Sequence, residues 1–361
     1  SIAFDVPKKL ESTYSFKAGQ YLTLRTTINH QEIVRSYSIC SAPKSGDLKI
    51  AIKAIPNGVF SNHAIRNLKV GDILEVSPPT GRFTIDDSSS KNSLFGIAAG
   101  SGITPILSII HDTLESNPSS KFILLYGNKS KSQTMFMDEI IQLEQSYTNR
   151  FFCHKIFSQE NNSDCEFGRI DSSFINYCIK KHQEIKIDKF LICGPEQMTI
   201  ESTGFLKSLG YDESNILFEL FYSILNQEIE QGLETEEITA RITCDFEDFE
   251  IVVPKNMTIL DAALDNNIDV PYSCQGGVCT SCVGKITNGS AKMSINNVLS
   301  DNEVSNGLTL ACQAIPTSKN LFSKFFWNNF NPVPDIIAAV IATIFSSFSA
   351  SFDNVSPKTF E

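Results

Sequence analysis

Over residues 1–88, apolar and polar positions alternate in short runs. The clearest are Tyr21 to Arg25, Arg35 to Cys40, Leu48 to Ile52 and Ile73 to Val76. Asn57-Gly58, Val70-Gly71-Asp72 and Pro78-Pro79-Thr80-Gly81 separate them. A period of two broken by turn residues at even spacing predicts a small antiparallel β-barrel. Over residues 89–222 the pattern changes. Apolar runs at Leu94–Ala98, Phe122–Tyr126, Phe151–Ile156, Phe190–Cys193 and Ile216–Phe221 alternate with helix-period segments. Those segments are Pro105–Leu114, Phe136–Tyr147, Ser172–Lys181 and Pro195–Leu209. Strand and helix in strict alternation predict βαβ units on a parallel sheet.

Residues 223–237 are acidic and polar with no apolar face, and read as a linker. The stretch 238–318 opens with a hairpin, Ala240 to Val253. A short helix follows, with a Thr258/Asp261 capping box. Residues 319–361 are left as a tail. Within it, Ile336 to Phe352 is an uncharged run of 17 residues, at the lower limit for a membrane span and serine-rich in its second half. Three readings of the tail stand: a loosely structured or non-native extension, an interfacial or partner-binding helix, and a membrane anchor.

A chain of 361 residues has room for two or three cores. Its net charge of −11, without a basic cluster, argues against nucleic acid as a partner. No charged n-region followed by an apolar stretch opens the chain, which begins at Ser1, and a cytoplasmic location with a processed or truncated start is the expectation. Of the ten cysteines, Cys40, Cys153, Cys165, Cys178, Cys193 and Cys244 are scattered, mostly in apolar runs, as expected of free thiols in a reducing compartment.

The other four are not scattered. Cys274, Cys279 and Cys282 read C-x₄-C-x₂-C, with Cys312 after a long gap, the plant-type spacing for a 2Fe–2S cluster. Gly276 and Gly277 let the backbone fold closely around such a cluster. Zinc prefers paired C-x₂-C knuckles.

Other candidate sites rest on context. In Arg35-Ser36-Tyr37-Ser38 an arginine can pair with a pyrophosphate, a tyrosine can stack on a flavin, and a serine can bond its N5. Gly58, Phe60 and Ser61 open a helical stretch whose N-terminus suits a phosphate. Gly100-Ser101-Gly102-Ile103-Thr104-Pro105 follows a buried strand, with Thr104 expected as N-cap and Pro105 as first helical residue. A dinucleotide pyrophosphate belongs at such a loop. Cys193-Gly194-Pro195 again ends a strand, where Gly194 would let a nicotinamide approach Cys193; an ordinary turn with a buried cysteine has the same letters. After strand Phe122–Tyr126, Asn128, Lys129 and Ser130 stand without an acidic neighbour. They suit a 2′-phosphate, hence NADPH, although solvated loops carry the same residues.

In this order, RSYSICSAP, GVFSNHA, AAGSGITPILSI, LLYGN, LICGPEQM, FELF and SCQGGVCTSCVGKITNG resemble the ferredoxin–NADP⁺ reductase superfamily with a C-terminal plant-type ferredoxin domain. Within it they are similar to reductase components of the phenylacetyl-CoA epoxidase type, over about residues 1–318. The resemblance implies a multidomain protein: an antiparallel β-barrel for FAD, an α/β parallel-sheet nucleotide domain and an α+β (β-grasp) ferredoxin domain. It implies FAD at Arg35, Tyr37, Ser38 and Ser61, and nicotinamide at Gly100, Gly102, Thr104, Cys193, Gly194 and Pro195. It also implies one further barrel strand before Ser1, and leaves the tail unexplained. The implied electron route is NADPH to FAD to 2Fe–2S to a soluble di-iron oxygenase, with Tyr37, Ser38 and Cys193 at the hydride-exchange site. The rivals are a reductase of a Rieske dioxygenase or other hydroxylase, a membrane-associated electron-transfer protein that uses the tail, and a binding or scaffold module with dead cofactor sites, against which the intact four-cysteine set argues.

Overall fold

The computed structural model describes residues 1–85, 90–161, 165–220, 238–244, 247–266, 268, 270, 272, 275–277, 281–296, 298–325 and 337–344. The expected linker, 223–237, and the cysteines Cys274 and Cys279 lie outside the described residues.

The first module holds β1 (Ile2–Asp5), β2 (Tyr21–Ile28), β3 (Gln31–Ser38), β4 (Leu48–Ile50), helix α1 (Val59–Arg66) and β5 (Ile73–Val76). Strands β2 and β3 form a hairpin in register from Tyr21↔Ser38 to Ile28↔Gln31. Its two-residue turn has positive φ at both Asn29 and His30 (52° and 63°), the twist that suits a tight hairpin. Alternate residues of β2, Leu22 and Leu24, are fully buried against Ile39, Ile50 and Phe60. A bridge between Ile39 and Ile50 joins the end of β3 to β4. The antiparallel barrel expected from the two-residue period is therefore present.

The second module adds β6 (Ser93–Ala99), α2 (Ile103–Ser116), β7 (Lys121–Asn128), α3 (Met137–Ser146), β8 (Phe151–Phe157), β9 (Glu166–Phe167), α4 (Ser172–Lys181), β10 (Lys189–Gly194), α5 (Glu196–Ser208) and β11 (Ile216–Leu220). The sheet order is β11-β10-β6-β7-β8-β9, and every pairing is parallel. Successive residues of β6 serve opposite faces. Leu94 and Ala98 pack beneath α2, whereas Phe95 and Ile97 pack with Ile175 of α4 and Leu206 of α5. A strand buried on both sides must be apolar throughout, which is why no alternation marks it in the sequence. Ala18 and Phe83 of the first module join the α2-side core and seat the barrel on the sheet.

One expectation fails here. Thr104 is not the N-cap of α2. Gly100–Gly102 is itself wound as a 3₁₀ turn that runs into the helix, so Gly102 takes the cap position. The Thr104 hydroxyl donates back to the Ser101 carbonyl at 3.0 Å, and Pro105 is the third helical residue rather than the first.

The third module contains β12 (Ile238–Cys244), β13 (Glu247–Val253), α6 (Ile259–Asp265), β14 (Val283–Asn288), β15 (Ala291–Met293), α7 (Asp301–Ser305), β16 (Leu308–Leu310), β17 (Ala314–Pro316) and β18 (Asn320–Phe325). Its main sheet runs β13-β12-β18-β14-β16. Thr258 caps α6 by accepting from the Asp261 amide at 3.1 Å, and Ile259, Leu260, Ala262 and Ala263 bury against the sheet. The expected end of this module at 318 falls short. Strand β18 is central, parallel to β12 and antiparallel to β14, and Leu321 is in the core. Its sequence, NLFSKF, is short and half polar, which hid it.

A last strand, β19 (Ile337–Ile344), lies in the barrel sheet between β5 and β1. Among the described residues no helix is long and apolar enough to cross a membrane.

Candidate functional site

The seam between barrel and parallel sheet gathers the first group of sequence-marked residues. Ser38, the last residue of β3, is buried, and its hydroxyl donates to the Glu219 carboxyl of β11 at 3.1 Å. Glu219 is the register partner of Cys193 on β10, so the thiol and carboxyl sit side by side at the carboxyl end of the sheet. Burial pushes the Glu219 carboxyl up to about 7, while the Ser38 hydrogen bond pulls it down. Burial, and next the Glu219 charge, raise the Cys193 thiol well above its usual range, so it is a neutral thiol and no nucleophile. The sequence pattern alone did not single out Glu219. Its signal was an acid inside the apolar run Ile216-Leu217-Phe218-Glu219-Leu220, where burial makes a carboxyl costly.

Two barrel residues stand beside this seam. The Tyr37 and Phe60 rings lie 5.5 Å apart at 37°, and burial pushes the Tyr37 phenol up to about 12. Arg35 precedes them on β3, and its guanidinium donates to the Val34 carbonyl at 2.7 Å. At the start of α1, a Cβ on Gly58 would meet the Ser61 hydroxyl and Ile55 at 2.4 Å. Only glycine lets this turn close while the Ser61 hydroxyl accepts from the Ile55 amide at 3.4 Å.

On the opposite side, Gly100 adopts φ +56° with open space where a Cβ would stand, and a Cβ on Gly102 would strike the Cys193 carbonyl at 2.1 Å. The β6 loop and the Cys193-Gly194-Pro195 turn are thus in backbone contact. Thr104 and Pro105 are buried behind them. Asn128 ends β7 with its amide oxygen and nitrogen both buried and without a hydrogen-bond partner among the described residues. Lys129 is exposed just beyond, and the Ser130 and Ser132 hydroxyls lie 3.1 Å apart. Folding also brings in an acid that the sequence order concealed: the Glu160 carboxyl accepts from the Lys131 amide at 2.8 Å. From the barrel, Lys53 reaches the same loop and donates to the Gln133 carbonyl at 3.1 Å.

The cysteine set is gathered by the third sheet. The β14–β16 ladder ends at Val283↔Leu310, and the next hydrogen bond, Ala311 amide to Cys282 carbonyl at 2.9 Å, brings Cys282 and Cys312 to the same end. Both are buried. Gly277 holds φ +72°, and a Cβ there would strike the Ile295 carbonyl at 2.7 Å. The Gln313 amide donates to the Gln275 carbonyl at 2.9 Å and ties the loop down. Cys40, Cys153, Cys178 and Cys193 are free thiols, and Cys165 and Cys244 are likewise outside any disulfide.

Three family models match in chain order: an oxidoreductase FAD-binding domain over 2–85, an oxidoreductase NAD-binding domain over 97–202, and a 2Fe-2S iron-sulfur cluster binding domain over 242–317. One component of the 1,2-phenylacetyl-CoA epoxidase from Escherichia coli K12 is 36% identical, across 90% of this chain and 93% of its own. The chain belongs to the ferredoxin–NADP⁺ reductase superfamily with a C-terminal 2Fe–2S domain. It is an oxidoreductase with FAD-, NAD- and 2Fe–2S-binding modules. The ferredoxin reductase component of 3-ketosteroid-9-alpha-monooxygenase from Rhodococcus rhodochrous is 29% identical across 90% of this chain and 92% of its own. Phthalate dioxygenase reductase, a modular structure for electron transfer from pyridine nucleotides to [2Fe-2S], matches with a TM-score of 0.53 and 25% identity over 86% of this chain and 88% of its own.

The reductase's own geometry fits these groups. The orphaned Asn128 amide and the open Gly100 backbone leave polar groups for a nucleotide. Cys282 and Cys312, two buried thiols brought to one sheet end, would supply half of a four-thiolate set.

Proposed function

We propose that this reductase draws electrons from NADPH and delivers them singly, through FAD and a 2Fe–2S cluster, to a soluble di-iron oxygenase, the phenylacetyl-CoA epoxidase. A bound flavin supplies the change from two-electron to one-electron transfer, which the cluster then carries. The proposed ligands of the cluster are Cys274, Cys279, Cys282 and Cys312. Arg35, Gly58 and Ser61 would hold the flavin phosphates, with Tyr37 and Phe60 against its ring. Gly100, Gly102, Thr104 and Pro105 would shape the pyrophosphate loop, Gly194 and Pro195 the nicotinamide approach, and Lys129 and Ser130 the 2′-phosphate contact beside Asn128.

Within the seam, Ser38 and Glu219 form a hydrogen-bonded pair that would hold or pass a proton for a flavin bound there. Cys193 stays protonated and fills the wall that excludes water. The observation that carries the electron route is a contact between modules: the Tyr21 hydroxyl of β2 lies 3.3 Å from the Ser281 hydroxyl, one residue before Cys282. The cysteine end of the third sheet therefore rests on the strand next to the one that bears Arg35, Tyr37 and Ser38. The epoxidase as acceptor is supported by the 36% relative.

Reconstitution tests this reading. The purified protein should show flavin and cluster bands, and NADPH oxidation should couple to epoxidation of phenylacetyl-CoA when the oxygenase component is added. Coupling to a Rieske dioxygenase instead would reassign the acceptor, and a preference for NADH would reassign the donor.

A further inference from the structure

We propose that Tyr126 is a positioning residue of the nucleotide site: its buried hydroxyl fixes the Gly100 peptide and so aims the Ser101 amide at the pyrophosphate. This role rests on the reading of Gly100–Pro105 as the pyrophosphate loop, and names the side chain that shapes that loop from beneath.

Tyr126 stands on β7 opposite Ala98 of β6, two residues short of Gly100. Its ring belongs to the α2-side core and is 1% exposed. The hydroxyl sits between two backbone carbonyls, 3.1 Å from that of Gly100 and 3.2 Å from that of Met135. Its single proton is shared between them as a three-centre bond. Burial pushes the phenol up, so the group stays protonated and keeps donating. Phenylalanine would fill this core position without a buried polar group to satisfy, so the hydroxyl is the part that needs a reason.

Both acceptors belong to constrained backbone. Gly100 holds φ +56°, and its carbonyl also accepts from the Ile103 amide at the start of α2. Met135 precedes Phe136, the N-cap of α3, at φ 58° and ψ 25°. That left-handed region is unfavourable for a bulky side chain and persists only where neighbours impose it. One hydroxyl therefore pins the loop after β6 and the loop after β7 together. A trans peptide carries its N–H on the side opposite its C=O. With the Gly100 carbonyl held toward the buried Tyr126 hydroxyl, the Ser101 amide is turned away from the core, as an anion donor should be. A Cβ at Gly100 would meet nothing within 4 Å, so a phosphate can approach the loop.

The test titrates the full chain, flavin and cluster bound, with NADP⁺ and with NAD⁺, read by the flavin difference spectrum and accompanied by ferricyanide kinetics. Tyr126→Phe should weaken both nucleotides about tenfold, as expected for loss of one buried donor. The KM for the reduced coenzyme should rise by the same factor while kcat stays within about twofold. Flavin content and the nucleotide-free spectrum should match the wild type. Gly100→Ala, whose added methyl meets no protein atom, reports on the loop and should also weaken both nucleotides. Weakening in Gly100→Ala but not in Tyr126→Phe would overturn the proposal and keep the loop. No weakening in either would overturn the loop reading and the proposal with it. Flavin loss, or a fall in kcat at unchanged KM, in Tyr126→Phe would show packing rather than positioning and would also overturn it. Both coenzymes carry the pyrophosphate, so the result does not depend on which is the donor.

Discussion

Ser38 and Glu219 stand 181 positions apart and share a hydrogen bond of 3.1 Å. This contact spans barrel and parallel sheet, so the site exists only when both modules are folded and seated.

The Glu219 carboxyl titrates at about 7 in the folded protein against 4.5 ordinarily. Its protonated form is favoured by folding, so its contribution to stability is fully present below about pH 4.5 and is lost as pH rises through about 7. Thermal unfolding of the apoprotein from pH 4 to 8 should show this decline. Glu219→Gln, which retains a partner for Ser38, should lack it. Glu219→Ala should slow NADPH-to-ferricyanide transfer by at least about tenfold. Parallel stability curves for wild type and Glu219→Gln would refute the assignment.

Arg82 of the first module forms a two-pronged ion pair with Glu303 of α7, at 3.0 and 3.3 Å. Glu303 also completes the capping box with Ser300, and these partners, Arg82 first, hold its carboxyl at about 2. The Arg82 side chain is 58% exposed, so the pair contributes at most about 1 kcal/mol and salt screens it. Glu303→Gln keeps a cap acceptor and removes the charge. It should reduce cytochrome c reduction, which needs the third module, by about two- to fivefold and leave ferricyanide reduction intact. Insensitivity of both activities to Glu303→Gln and to salt would show that the ion pair does not hold the docked modules.

Cys279→Ser should abolish the cluster's visible absorbance and cytochrome c reduction while flavin-dependent ferricyanide reduction survives. Cys312→Ser should behave alike, because Cys312 shares a sheet end with Cys282. Loss of ferricyanide activity in a folded Cys279→Ser protein would contradict separable modules.

Lys129 is exposed at the end of β7. Lys129→Glu should raise the KM for NADPH about tenfold, roughly 1.4 kcal/mol, with little change for NADH. The Glu160 carboxyl makes the opposite variant informative: Glu160→Gln should favour NADPH further. Equal effects on both nucleotides would remove Lys129 from the 2′-phosphate site.

Strand alternation to residue 88, the βαβ rhythm beyond it and the C-x₄-C-x₂-C spacing were sufficient for three modules, their order and the 2Fe–2S cluster, while FAD and the nicotinamide followed from the family resemblance. These signals are local: turns, periodicity and ligand spacing are written over a few residues each. What the sequence left open depends on packing at a distance. Thr104 is not a cap because the two glycines before it wind into a 3₁₀ turn pressed on the Cys193 carbonyl. Glu219 gained meaning only from burial beside Ser38 and Cys193. Asn320–Phe325 looks like a polar tail until its central pairing is known. Ile337–Ile344 has the composition of a buried strand or a membrane span, and only its pairing with β1 and β5 decided between them. Composition states that a segment must escape water; tertiary structure determines which surface receives it.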